Sequence, residues 1–325
     1  MLVNLFRKNY INQYLFILLI SIPLWIGSFI NPQPMEEYVS FSYLYNLFYI
    51  LLSPFPLFST ILAYIMVLLQ GFFFNQILNR HNLVSNTTLL PMFLYVLFSS
   101  SVSIQNLNPI LFFTLFILIA INRLMDCTNT PDVQNKIFSA AILVSVASLF
   151  CIQSIYFLLL LPITLIIFKI YYWREWTTIL FGFAFPQIIL ILYAFFTDKL
   201  EMLLYSLKSY ITSISFTVDV TNKVALITNI FILLVFTVSF FVYLISSTDS
   251  IVAYRKKTAI ISWTFIIGIV LALYTYVMPL PIQIFAIPFS FFISRYILKF
   301  RYKAIFIDII FLLLVCALFI NVYLV

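Results

Sequence analysis

Reactive side chains are scarce in this sequence, and most of them fall in a few places. Glu36 and Glu37 are the only acids between the first two apolar runs. A carboxylate at a membrane rim is partly buried, which raises its pKa toward the range where it can act as a general base. Lys199, Lys208 and Lys223 gather in one polar stretch far downstream. Cations there could neutralise the charge that develops on a departing phosphate. Both sets also have a plainer use. Two adjacent glutamates suit a solvated loop, and Asp198, Glu201 and Asp219 balance the three lysines. Asp219 could equally share a metal with Glu36 or Glu37.

Two further charged groups stand out. Trp173, Arg174, Glu175 and Trp176 form a compact aromatic and charged cluster. Tryptophans anchor helices at headgroup depth, and the Arg-Glu pair could hold a lipid phosphate or a protein partner. Asp308 lies about five residues inside the last apolar run, where an ionisable group is a functional candidate by default. Arg301 and Lys303 are near enough in sequence to pair with it by snorkelling. Asn75, Gln76 and Gln187 are suited to hydrogen bonds between helices.

Several chemistries are absent from the pattern. One histidine, His81, and three scattered cysteines, Cys127, Cys151 and Cys316, indicate no metal site and no disulfide framework. No Gly-rich phosphate loop, Ser-x-x-Lys, His-Glu-x-x-His or Cys-x-x-Cys occurs, so no nucleotide or other cofactor is expected.

The elements that must position these groups follow from composition. The 325 residues are 64% hydrophobic and 8% charged, with a mean hydropathy of +1.14. Soluble domains are about 45–50% apolar and about 25% charged, so this chain cannot cover a surface in water and a soluble enzyme is excluded. Apolar runs of about twenty residues satisfy their backbone in lipid only as helices. The expected fold is therefore an all-α polytopic transmembrane bundle, one integral membrane domain over residues 1–325.

Charges, prolines and Asn/Ser clusters divide the apolar runs into about eleven spans. These are 12–30, 57–78, 87–102, 107–122, 137–152, 154–172, 177–196, 225–246, 259–277, 282–297 and 304–323. With the N-terminus cytoplasmic, 14 of the 17 lysines and arginines fall on the inner side, as the positive-inside rule requires. The net charge of +7 is thus read as topology, with no nucleic-acid partner. An uncleaved first span and an extracytoplasmic C-terminus follow.

Two outer segments exceed simple turns. Residues 31–53 are aromatic-rich in their second half, which suits a short interfacial helix. Between Thr197 and Leu226, Leu203, Leu207, Ile211 and Ile214 recur at helical spacing, and residues 214–221 then alternate polar and apolar as extended chain does. With four glycines and no G-x-x-x-G, few tight helix crossings are expected, and packing should rest on Phe, Leu and Ile.

Residues 75–175 carry a resemblance. NQILNRHNLVSNTTLLPMFLYVLFSS, NPILFFTLFILIAINRLMD, IFSAAILVSVASLFCIQSIYFLLLLPITLIIFK and YYWREWTTILFGFAFPQ, in that order, resemble an uncharacterised family of polytopic inner-membrane proteins from Bacteroidota. The resemblance implies a bacterial inner membrane and brings no activity. The layout is also similar to that of the C superfamily of glycosyltransferases, which use polyprenyl-phosphate sugars and carry an acidic catalytic residue in the first outer loop. This chain departs from that superfamily in a shorter first loop and in lacking an Asp-Glu or Asp-Asp pair there.

The layout implies a glycosyltransferase-like protein using a lipid-linked sugar on the extracytoplasmic face. Glu36 or Glu37 would be the base, with Lys199, Lys208 or Lys223 near the phosphate. A non-catalytic membrane partner or assembly factor in envelope biogenesis is the alternative, and a lipid flippase or transporter the third. Membrane lipids are expected partners in each case.

Overall fold

A computed structural model describes residues 11–35, 43–84, 88–101, 105–128, 132–201, 203–205, 208, 223–246, 251–274, 282–299 and 304–324. Among these the chain is 89% helical and contains no strand. The helices are α1 (Ile11–Ile30), α2 (Tyr43–Leu52), α3 (Pro56–Arg80), α4 (Leu90–Ser100), α5 (Pro109–Met125) and α6 (Val133–Phe150). They continue as α7 (Leu160–Phe168), α8 (Trp173–Phe196), α9 (Lys223–Ser246), α10 (Val252–Tyr274), α11 (Ile282–Lys299) and α12 (Ala304–Leu324).

Six helices among the described residues are long and apolar enough to cross a membrane: Asn12–Ile30, Pro56–Arg80, Pro109–Thr128, Val133–Phe150, Trp173–Phe196 and Ile227–Ser246. The short helix expected in the second half of the 31–53 segment is α2. The expected extended stretch over 214–221 lies outside the described residues.

The sequence suggests a span over 87–102; among the described residues of that run Leu90–Ser100 is helical, and every residue of it is buried. At 1.5 Å per residue α4 is about 16 Å long, half the hydrocarbon thickness. Its flanks at Leu83, Leu89 and residues 105–108 are irregular and buried. Such backbone is tolerated at membrane depth only when protein covers it, and α1, α3, α11 and α12 all pack on α4. The 154–172 run is also composite. Cys151 is extended, residues Ile152–Leu159 form a 3-10 helix and α7 completes the run, for a total rise of about 30 Å.

Local chemistry sets several boundaries. Asn108 caps α5 by accepting from the Leu111 amide at 2.9 Å, and Pro109 occupies the first helical position, where its missing N–H costs nothing. Lys169, in the left-handed region at φ 61°, ends α7.

Packing rests mostly on large side chains. Phe236 lies 4.3 Å from Phe265 and 4.6 Å from Phe289 between ring centroids, and Phe112 stacks on Phe150 at 4.6 Å. Two crossings are tight. A Cβ on Gly71 of α3 would meet Val96 Cγ2 of α4 at 2.8 Å. A Cβ on Gly182 would meet Ala141 Cβ at 2.7 Å and the Phe138 carbonyl at 3.0 Å, so α8 lies close on α6 through small residues. Gln187 seals the crossing by donating to Ser145 Oγ (3.2 Å) and Ser148 Oγ (2.7 Å). In the middle of the bundle Gln70 donates to the Leu111 carbonyl at 2.7 Å and accepts from Tyr95 at 2.9 Å, tying α3, α4 and α5.

Candidate functional site

Polar chemistry collects at the two opposite ends of the bundle. At the first, the ends of α1, α4, α5, α9, α11 and α12 meet through neutral groups. Trp25 Nε1 donates to Ser100 Oγ at 2.9 Å, and Ser28 Oγ donates to Gln105 Oε1 at 3.0 Å. Asn108 Nδ2 donates to Gln283 Oε1 at 3.3 Å. Asn321 Nδ2 donates to the Ser101 carbonyl at 2.9 Å, and Asn321 Oδ1 accepts from Thr228 at 3.2 Å. Asn106 Nδ2 donates to the Pro34 carbonyl at 3.2 Å, and Tyr45 on α2 donates to the Leu107 carbonyl at 3.0 Å. This carboxamide end carries no charge among these groups and is buried. Ser99 Oγ and Asn229 Oδ1 are buried on the same two helix ends without hydrogen-bond partners.

The second end is basic. Arg80 Nη2 pairs with Asp126 Oδ2 at 2.9 Å. His81 Nε2 lies 2.9 Å from Asn122 Oδ1 and 3.8 Å from Asp126 Oδ1. Lys136 Nζ donates to the Asp126 carbonyl at 3.0 Å. Arg295 donates to the Leu83 carbonyl at 3.3 Å and lies 4.4 Å above the Tyr254 ring. Burial lowers the His81 pKa below its ordinary value, and the nearby Lys257 and Arg80 charges act in the same direction. His81 is therefore neutral at pH 7, and Nε2 carries the proton that it donates to Asn122.

The residues expected from sequence distribute as follows. Glu36 and Glu37 lie outside the described residues, as does Asp219. Pro34, held by Asn106, and Met35, 5% exposed, bring the chain to the carboxamide end immediately before Glu36. Lys199 is exposed just beyond α8, and Lys208 is exposed in a helical turn. Lys223 begins α9. The Thr178 hydroxyl accepts from Gln134 at the start of α6, so α8 begins near the basic end and Lys199 follows its opposite terminus. Trp173 is 71% exposed and Arg174 is exposed, while Trp176 packs against the core. Asp308 sits half-buried in the second turn of α12, and Arg301 and Lys303 lie outside the described residues. No group of three His, Cys, Asp or Glu suited to a metal occurs among the described residues.

Two features escape sequence reasoning. Gln105, Asn106, Asn108, Gln283 and Asn321 read singly as polar residues at the ends of apolar runs, and only the fold joins them. Asp126 reads as one loop acid, although Asn122 and Asp126 at i and i+4 beside the Arg80-His81 pair carry a signal for the basic cluster. No protein-family model matches this chain, and no curated protein or solved structure matches it.

Proposed function

We propose that the chain is a bacterial inner-membrane protein with eleven traversing segments, cytoplasmic at its N-terminus and at the basic end. In this reading it acts as a glycosyltransferase-like protein on a polyprenyl-phosphate sugar at the extracytoplasmic face. The eleven segments are α1, α3, α4, α5, α6, the 3-10 helix with α7, α8, α9, α10, α11 and α12. Contacts at the two ends support this count. Asn108–Gln283 joins the first ends of α5 and α11, and Arg80–Asp126 and Arg295–Leu83 tie the opposite ends of those two helices to the end of α3. The gathering of Arg80, Lys136, Lys257 and Arg295 at one end fits the retention of cations in the cytoplasm.

The Asn106–Pro34 hydrogen bond carries the functional reading. It brings Pro34 and Met35, the residues just before Glu36 and Glu37 in the chain, to a field of carboxamides and hydroxyls, groups that can both donate to and accept from a sugar. One glutamate takes the proton of the acceptor hydroxyl as that oxygen bonds to the sugar carbon, and the polyprenyl phosphate leaves with the electrons of the broken bond. Lys199, at the same end, neutralises the leaving phosphate together with Lys208 or Lys223. Glu36→Gln with Glu37→Gln should abolish glycan transfer in cells that depend on the protein while its abundance holds. Unchanged envelope glycans with both substitutions in place would eliminate the enzyme reading.

The exposed Trp173 and Arg174 favour a second reading, a membrane partner or assembly factor in envelope biogenesis. Such a protein should copurify with a partner that Trp173→Ala releases. The stacked Phe236, Phe265, Phe285 and Phe289 cluster weighs against a lipid flippase, which needs a polar path through the bundle.

A further inference from the structure

The basic end holds more positive charge than its protein partners neutralise. Asp126 is matched by Arg80, and its carbonyl already accepts from Lys136. Lys257 is 9% exposed, and Asp126, which is already paired with Arg80, acts on it from beyond ion-pair distance. Arg295 is in a similar position. Its guanidinium lies 4.4 Å from the Tyr254 ring and 5.7 Å from the Tyr243 ring, and among the described residues only the Leu83 carbonyl accepts from it. A guanidinium carries five N–H donors in a planar fork, so most of its donors remain unused. The Tyr254 hydroxyl is buried without a hydrogen-bond partner, and it stands one helical turn before Lys257 on α10.

These groups border one place. Arg295 reaches Leu83, two residues after His81, and Lys257 is close enough to His81 to oppose its protonation. Burying cations without a counter-anion is costly, and removing a partner from a buried pair exposes that cost. A neutral acceptor would leave the charge uncompensated. Both a carboxylate and a phosphate match the fork of Arg295, but a carboxylate carries one negative charge, whereas a phosphate monoester carries up to two near pH 7 and so answers Arg295 and Lys257 together.

We propose that Arg295, Lys257 and the Tyr254 hydroxyl, on the turns of α10 and α11 beside His81, form a binding site for a phosphate group at the basic end of the bundle. The site is independent of the glycosyltransferase reading, which concerns the opposite end. A phosphate monoester there is supplied either by an anionic lipid headgroup or by a soluble phosphate, and both present the same oxygens to the same donors.

The test uses the full chain in phosphatidylcholine nanodiscs, with phosphatidic acid as the lipid probe and inorganic phosphate as the soluble one. Binding is read by native mass spectrometry and by the imidazole NMR signals of His81, the single histidine of the chain. A bound phosphate should favour the protonated imidazole at a fixed pH near 6.5. Lys257→Gln and Arg295→Gln should each weaken retention about tenfold, as loss of a charged hydrogen bond does. Arg295→Lys should restore part of it, and Lys199→Gln at the opposite end should leave it unchanged. A response to phosphatidic acid alone assigns the site to lipid, and a response to inorganic phosphate alone assigns it to a soluble anion. A response to both assigns it to the phosphate group itself. No response of wild-type His81 to either probe, or equal retention by folded Lys257→Gln and Arg295→Gln variants, would overturn the proposal.

Discussion

The two ends of this bundle solve the same problem with different chemistry. Helix termini at membrane depth must satisfy their polar groups internally. At the carboxamide end Asn108, Gln283, Asn321 and Gln105 do so with neutral hydrogen bonds that reach from helix to helix. At the basic end Arg80, Lys136 and Lys257 gather about Asp126 and a neutral histidine, and Arg295 joins them through the Leu83 carbonyl. The neutral end holds helices together and is insensitive to charge in solution. The basic end is held by protein only in part and responds to protons and anions.

The difference can be broken from either side. The largest effect is expected from Asn108→Ala, which removes the α5 cap and strands the Gln283 oxygen. The combined loss should be about 2–4 kcal/mol, measured by reversible unfolding in mixed micelles. Anionic lipid should not restore it.

Acidification should separate the ends next. Because burial holds the His81 pKa below the unfolded value of 6.5, both states are neutral at higher pH and stability is flat there. Below about 6.5 the unfolded chain takes up a proton that the folded chain resists. Stability therefore falls as pH drops, by at most about 1.4 kcal/mol per pH unit for one group, and levels off once the folded pKa is passed. His81→Gln should remove this slope, as followed by unfolding at pH 5 to 8.

Asp126→Asn deletes the carboxylate that pairs with Arg80. Arg80 is 56% exposed, so screening limits the loss to about 1 kcal/mol, and phosphatidic acid in the micelle should recover part of it. The smallest effect is expected for Thr228→Val, which removes one neutral contact to Asn321 and should cost about 0.6 kcal/mol. A larger loss there would mean that the neutral end is more cooperative than its separate bonds.

The sequence makes the helices legible because hydrocarbon imposes a strong pattern. An apolar run bounded by Pro56 and Arg80 leaves little freedom in where α3 begins or ends. The sequence conceals α4, because Leu90–Ser100 is apolar on all sides and its irregular flanks are apolar too. Hydropathy reads length and not backbone form, so the run 87–102 reads as an unbroken helix. The interhelical role of Gln187 is readable from its place after Pro186. The tight crossing at Gly182 is not, since it depends on Ala141 facing it from another helix.

The candidate sites follow the same division. Glu36, Glu37 and the three lysines attract notice because charges are rare here. Neutral Asn108 and Gln283 do not, and they acquire meaning only when the fold brings residues 175 positions apart within hydrogen-bond distance. Asp126 is overlooked for the opposite reason, since one acid among loop cations reads as simple charge balance.

The central claim is that the carboxamide and basic ends face opposite aqueous compartments, with an odd number of crossings between them. The most direct measurement fuses a paired reporter after α12, alkaline phosphatase for the extracytoplasmic side and green fluorescent protein for the cytoplasm. Active phosphatase with dark fluorescence is the expected result. Bright fluorescence with silent phosphatase would place both termini in the cytoplasm and contradict the arrangement.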